Sequence, residues 1–300
     1  MISIKDAAER IRAGGLVAFP TETVYGLGAN ALDAAAVAKI YELKGRPAAS
    51  PLIVHVSSIE MARTLVTEWP PAAETLAREY WPGPLTLVLP KAPAIPAIVT
   101  AGLPTVGIRV PNHPLALALI REAGVPIAAP SANRFMQLSP TTAQHVRDAF
   151  GDAVPVLDGG ACQVGIESTV VSIANGKITL LRLGMITLDD IERASAPSDP
   201  DAHPSPGMHD RHYSPRTPLY LVDGPEQLPV GLGAYVWREK TARLQPHVHM
   251  PTDPAAYAAR IYSVLHDLDR EGWPWIAVEA PPDTPEWAAV LDRLRRAASE

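Results

Sequence analysis

Leu16-Val-Ala-Phe-Pro-Thr-Glu-Thr-Val-Tyr-Gly-Leu-Gly28, followed by Ile40-Tyr-Glu-Leu-Lys-Gly-Arg-Pro-Ala-Ala-Ser-Pro-Leu-Ile-Val-His55, is the stretch on which the fold turns. The apolar run Leu16 to Phe19 ends at Pro20 and reads as a buried strand. Polar residues, Thr21, Glu22, Thr23 and Tyr25, gather before two glycines. Val37, Ile40, Tyr41 and Lys44 then recur at the spacing of one helix face. Gly45 is a natural stop for that helix, and Pro47 prevents its continuation. Leu52 to Val56 is a second apolar strand. One strand end thus delivers hydroxyls, and one helix end delivers Lys44 and Arg46. The arrangement suits an anionic small molecule.

Working outward, Ser3 with Asp6 in the first turn opens a short helix with Ile4, Ala8 and Ile11 on one face, and Gly14-Gly15 ends it. Downstream, two helical patterns lie between Ser58 and Tyr80 and end at Trp81-Pro-Gly-Pro. Leu85 to Leu89 and Val106 to Val110 read as strands, the second carrying Arg109. Pro114 to Ala123 is a helix with proline near its start. Val125 to Ala129 is a strand leading into Pro130-Ser-Ala-Asn133. A helix over Thr141 to Phe150 and a strand over Val154 to Leu157 follow. Ser168 to Ile173 and Lys177 to Leu183 are strands joined by Ala174-Asn-Gly176, a hairpin signal. Thr187 with Asp190 caps a last short helix. Strands and helices alternate with hairpins mixed in, so the class is α/β with a twisted mixed sheet and flanking helices.

A boundary comes next. Ala196 to Arg216 holds Pro197, Pro200, Pro204, Pro206 and Pro215 and shows no apolar period, the pattern of an extended linker. Beyond it, Leu219 to Val222, Gly233 to Trp237 and Trp275 to Glu279 read as strands. Tyr257, Ile261, Val264, Leu265 and Leu268 mark one face of a helix from about Pro254 to Arg270, stopped by Gly272. A final helix turns Trp287, Val290, Leu291 and Leu294 inward. The expected organisation is a domain over 1–195, a proline-rich linker or lid over 196–217, and a smaller α/β domain over 218–300.

Composition bounds the function. Of the 300 residues 47% are hydrophobic and 19% charged, enough for one large core or two modest ones. No apolar run nears the roughly 20 residues that span a bilayer, and Met1-Ile-Ser-Ile-Lys-Asp lacks the marks of a signal peptide. Cys162 is the only cysteine, which excludes an internal disulfide and fits a cytoplasmic setting. A net charge of −6 argues against a broad nucleic-acid surface.

Several chemistries are missing from the pattern. There is no phosphate-cradling P-loop, no dinucleotide fingerprint around Gly26-Leu-Gly28 or Gly231-Leu-Gly233, no zinc spacing and no nucleophile elbow. What remains is a set of polar residues just past strand ends: Thr23, Lys44, Arg46, Arg109, Ser131, Asn133, Ser168 and Arg182. Cations and hydroxyls without a nucleophile suit phosphoryl or nucleotidyl transfer, in which positioning and charge stabilisation dominate.

Taken singly, these residues have plainer readings. Thr23 can satisfy a turn, Lys44 can complement a helix dipole, and His55 within an apolar strand is more often a core histidine. Arg109 can be half of a structural ion pair. Ser131 and Asn133 can form a cap or turn, Ser168 can be a plain strand residue, and Arg182 alternates with leucines as a solvated face would. His203, His209, Asp210 and His212 are too irregularly spaced for a metal site.

Together, Lys44-Gly-Arg46 and Ser131-Ala-Asn133 resemble the Lys-x-Arg and Ser-x-Asn pair of the YrdC-like family. Phe19-Pro-Thr-Glu-Thr-Val-Tyr-Gly-Leu-Gly28, Trp81-Pro-Gly-Pro-Leu-Thr86 and Gly165-Ile-Glu-Ser-Thr169 are similar to that family too. Ser205-Pro-Gly-Met-His-Asp-Arg-His-Tyr-Ser-Pro215 resembles the linker of its longer, two-domain branch, the threonylcarbamoyl-AMP synthases. The resemblance implies that L-threonine and bicarbonate form a carbamate that attacks the α-phosphate of ATP, with Mg²⁺ accompanying the nucleotide. The product would pass to downstream proteins that modify an adenosine of tRNA, and direct tRNA contact is not required. By motif position, Lys44 and Arg46 would be catalytic. Thr23, His55, Arg109, Ser168 and the backbone of Ala129 would surround threonine. Arg46, Ser50, Thr105, Ser131, Asn133, Ser139, Arg182 and Tyr213 would line the ATP site, with Tyr213 part of a lid. No acidic cluster announces protein ligands for the metal, so the phosphates would hold it. Two other classes stay open: an RNA-binding module without catalysis, and another carbamoyl-transferring enzyme of the hydrogenase-maturation type. The second would carry acylphosphatase-like and zinc-finger segments that this chain lacks.

Overall fold

Local chemistry sets most helix ends. In the computed structural model, which describes residues 2–45, 47, 49–174, 176–194, 213–242 and 246–298, Ser3 Oγ accepts from the Asp6 amide to open α1 (Ile4–Arg12). Asp33 accepts from the Ala35 and Ala36 amides to open α2 (Ala34–Lys44), and Gly45 closes it at φ 65°. Such caps satisfy amides that have no partner inside the helix. Thr187 and Asp190 form the expected reciprocal cap of α7 (Leu188–Ala194).

The first domain's remaining elements are β1 (Val17–Phe19), β2 (Gly26–Asn30), β3 (Ile53–His55), α3 (Ile59–Arg63), α4 (Pro71–Tyr80), β4 (Leu85–Pro90), β5 (Thr105–Arg109), α5 (Pro114–Ala123), β6 (Ile127–Ala128), α6 (Ala143–Phe150), β7 (Thr169–Ala174) and β8 (Lys177–Arg182). They form one eight-stranded mixed sheet in the order β1-β2-β6-β3-β5-β4-β7-β8. β3 runs parallel to β5 and β4 parallel to β7, while the other neighbours are antiparallel. The parallel register sets His55 opposite Arg109. Two side chains called from separate stretches therefore emerge side by side at one sheet end.

The second domain contains β9 (Leu219–Val222), β10 (Ala234–Trp237), β11 (His247–His249), α8 (Pro254–Glu271), β12 (Ile276–Glu279) and α9 (Ala288–Ala297). Its four strands are all parallel, ordered β11-β10-β12-β9. Tyr257, Ile261 and Leu265 of α8 are buried in a core cluster that also takes Val24, Leu138 and Ile166 from the first domain. Apolar packing therefore joins the two domains. Gly165 is needed at this join: a Cβ there would sit 2.4 Å from the Ala258 carbonyl oxygen and 2.5 Å from Ala259 Cα.

Four sequence expectations change. Residues 154–157 form no strand; Val156 makes a single bridge to Ala18, because the chain touches the sheet edge only there. β6 is two residues long rather than five: the Ala129 amide still bonds the Ile53 carbonyl in register, but Pro126 and Pro130 on either side have no N–H to extend the ladder. β2 and β11 were not anticipated. β2 was hidden by its glycines, which the packing requires: a Cβ on Gly28 would meet the Phe19 ring and Ile127 at 2.8 Å. Most of the expected linker, with its histidines, lies outside the described residues. Its end is packed: Ser214 bridges to Gln137, and the Thr217 amide donates to Asp269. No helix among the described residues is long and apolar enough to cross a membrane.

Candidate active site

The end of α2 meets the loop after β6. Lys44 is buried, and its Nζ donates to the Ser131 carbonyl at 2.7 Å, to the Asn133 carbonyl and to Asn133 Oδ1 at 3.3 Å. Ser131 Oγ donates to Asn133 Oδ1 at 2.5 Å, and Asn133 Nδ2 donates onward to the Arg134 and Gln137 carbonyls. One ammonium group thus shapes a loop 87 residues away in sequence. This is more than a dipole complement at a helix end. Arg46 lies outside the described residues.

Arg109 closes β5, and each of its three guanidinium nitrogens meets one neighbour. Its Nε donates to the Gly83 carbonyl at 3.0 Å and its Nη1 to Thr23 Oγ1 at 2.9 Å. Its Nη2 lies 2.6 Å from Glu22 Oε1, with side-chain exposures of 4% and 5%. That ion pair is close but poorly aligned: neither Nη2 nor either Glu22 oxygen completes a hydrogen bond. Thr23 is fixed in turn by Thr21 Oγ1 at 2.8 Å. These contacts leave a second N–H on each Nη for a ligand oxygen, the fork that a carboxylate accepts.

His55 stands edge-on to Phe19, with ring centroids 5.9 Å apart. Burial, then the neighbouring Arg109 guanidinium, lowers its pKa to about 3, so the ring is neutral at pH 7. The unfolded chain protonates this imidazole near pH 6.5. Between about pH 6.5 and pH 3 the unfolded state binds more protons, so stability falls as pH falls. The expected slope from this group is up to about 1.4 kcal/mol per pH unit. Urea titrations of wild type and His55→Asn across that range check it: the variant is expected to show the shallower dependence, and equal slopes would contradict it.

Thr23, His55, Arg109 and Ala129 line one cavity together with Ser131, Ser168, Arg182 and Tyr213. Arg182 donates from Nε to the Ser168 carbonyl and from Nη2 to Ser168 Oγ, both at 3.0 Å, and Ser168 Oγ also pairs with Thr86 at 2.8 Å. Arg182 is therefore no solvated-face residue. Tyr213 is buried at the cavity wall in a left-handed conformation, φ 64°.

Five expected residues lie outside that lining, Lys44 among them, which meets it through the Ser131 carbonyl. Asn133 lines a second cavity with His145 and His266, and Ser50 is buried next to cavity-lining Pro51. Ser139 donates to Glu167 at 2.5 Å from behind the wall. Thr105 opens β5, at the opposite end from Arg109 and about 13 Å away at strand rise. Two carboxylates were missed as site residues although both stood inside quoted motifs. Glu22 pairs with Arg109, and Glu167 lines the cavity. Burial would raise the Glu167 carboxyl, but Arg293, Arg182 and Ser139 outweigh it and hold it below the usual range. Cys162 is buried, and its thiol is pushed up to about 12 by that burial, so it is no nucleophile. Among the described residues, no three His, Cys, Asp or Glu side chains gather as a metal site.

The family model of Sua5, YciO and YrdC proteins, described as telomere recombination, matches residues 9–184. A second, described as the C-terminal domain of threonylcarbamoyl-AMP synthase, matches residues 186–299. The threonylcarbamoyl-AMP synthase of Bacillus subtilis (strain 168) is 43% identical, the match covering 98% of this chain and 92% of that protein. That of Pyrococcus abyssi is 41% identical over 98% of this chain and 94% of its own length. The crystal structure of P. abyssi Sua5 complexed with L-threonine superposes with a TM-score of 0.90 at 40% identity, covering 98% of this chain and 94% of that one. With both domains matched in order along nearly the whole length, the chain belongs to the two-domain threonylcarbamoyl-AMP synthase branch of the Sua5/YrdC family.

Proposed function

We propose that the protein joins L-threonine, bicarbonate and ATP into threonylcarbamoyl-AMP, releasing pyrophosphate. The observation that carries this reading is the convergence of Thr23, Arg109, Ser168 and Arg182 on one cavity, beside the loop that Lys44 holds. The threonine carboxylate accepts the two remaining N–H groups of Arg109, with Thr23 and Ser168 close by. The amine adds to the carbon of bicarbonate, forming a C–N bond and releasing water. A carbamate oxygen then attacks the α-phosphorus, a P–O bond forms, and the α–β bridge bond breaks toward pyrophosphate.

Positive charge near the phosphates stabilises the developing negative charge most when it is held in advance and away from water. Lys44 and Arg182 meet that need, and Arg46 belongs with them by motif. Tyr213 walls the nucleotide side. Mg²⁺ would accompany ATP as part of the substrate and would offset phosphate charge there. His55, neutral at pH 7, packs beside threonine without adding charge. We place the reaction in the cytoplasm, with the adenylate passed to downstream transferase proteins that modify tRNA.

Pyrophosphate release with ATP and Mg²⁺ tests this, with threonine and bicarbonate added separately and together. Release that needs both is the expected result. Consumption of ATP without either, or none under any combination, would overturn the reading.

A further inference from the structure

Arg293 belongs to α9 of the second domain, yet it is only 2% exposed and reaches the wall of the first domain's cavity. Its Nε donates to Glu167 Oε2 at 2.9 Å, and its Nη2 donates to the Leu183 carbonyl at 2.7 Å. Its Nη1 pairs with Asp292 at 2.6 Å, which anchors the guanidinium to its own helix. Its Cζ lies 5.1 Å from the Tyr213 ring centroid, within cation–π range. Glu167 and Tyr213 both line the cavity, and Leu183 follows Arg182, which lines it too. From α8, Tyr262 adds a longer contact of 3.4 Å to Glu167 and stands 6.1 Å from Tyr213, centroid to centroid.

Adhesion between the domains does not need this group. Apolar packing already supplies it through Val24, Leu138, Ile166, Tyr257 and Ile261. A buried ion pair is often no more stabilising than apolar residues of equal volume, because both charges must leave water. What the guanidinium adds is direction. Its planar fork fixes several partners at once, in a way that an apolar contact does not.

We propose that Arg293 is a positioning residue for the adenylating site, holding Glu167, Tyr213 and the Arg182 strand end at the geometry that the nucleotide meets. The inference rests on the synthase reading above. It gives the second domain a part in the first domain's chemistry: its last helix braces the cavity wall from behind. Glu167 is the mediator, since it touches Arg293 on one oxygen and Ser139 on the other.

Arg293→Met, which keeps the length and loses the fork, is the test in the full chain. Displacements of about 1 Å at such a wall cost about 10²-fold in rate, and kcat/KM for ATP is expected to fall by that order. KM for ATP is expected to rise more than KM for threonine, because the braced residues flank the nucleotide side and Arg109 is held separately. Arg293→Lys restores charge without the fork and is expected to recover only part of the loss. Arg295→Ala, an exposed neighbour on the same helix, is expected to match wild type. The double variant Glu167→Gln/Arg293→Met removes both buried charges, so it is expected to regain folding stability while KM for ATP stays raised. A folded Arg293→Met protein with wild-type KM for ATP would overturn the inference alone. A wild type that forms no threonylcarbamoyl-AMP would overturn the synthase reading, and the inference with it.

Discussion

Lys44→Met is expected to lower kcat/KM for threonylcarbamoyl-AMP formation by at least ~10²- to 10³-fold, the loss typical when one preorganised charge or donor is removed from a reacting centre. Two effects combine. The variant loses the ammonium that offsets phosphate charge, and it loses the donor to the Ser131 carbonyl and to both Asn133 oxygens. Asn133 Oδ1 keeps the Ser131 hydroxyl, but the two carbonyls lose this donor at about 1–3 kcal/mol each, so the melting temperature is also expected to drop. The two effects separate by measurement. Below its lowered melting temperature the variant remains folded by circular dichroism while pyrophosphate release is lost. Wild-type kcat/KM in the folded variant would remove Lys44 from the catalytic group.

Arg109→Met is expected to have the largest effect on stability. It leaves Glu22 buried without its counter-charge, since Arg109 Nη2 at 2.6 Å is the cation against that carboxylate. Breaking a buried pair from one side typically costs about 3–5 kcal/mol, to be read as a shift in the urea midpoint at unchanged slope. Threonine binding, measured by calorimetry, is expected to be lost as well. Glu22→Gln/Arg109→Met removes the stranded charge, so the double variant is expected to recover much of the stability and none of the threonine affinity. If the double variant were as unstable as the single, the ion pair would not be the cause. If threonine still bound, Arg109 would not be its carboxylate fork.

These expectations depend on partners that no local pattern displayed. Glu22 stands inside the motif first quoted, one residue before Thr23, and still went unassigned. A carboxylate next to two threonines reads as turn chemistry until Arg109, from the middle of the sheet, is set against it. Glu167 was equally visible and equally silent, because its main partner arrives from α9, 126 residues later. Arg293 itself lies on a helix whose apolar face was read well. A charged residue on such a helix is normally solvent-facing, and only docking of the second domain buries it.

Sequence alone determined several helix ends, because Ser3, Gly45, Thr187 and Gly272 act on backbone groups within one turn of themselves. It also determined the α/β class, through apolar periods read over short windows, and the family, through several motifs in order. Glycine-rich β2 escaped because glycine ordinarily marks turns, and its need there comes from the Phe19 ring packed across it. Tertiary structure decided that Lys44 holds Ser131 and Asn133, that Glu22 neutralises Arg109, and that the second domain braces the cavity through Arg293. The physical reason is range. Capping and periodicity act between near neighbours in the chain, whereas a buried charge is matched by whatever the fold brings within a few ångströms of it.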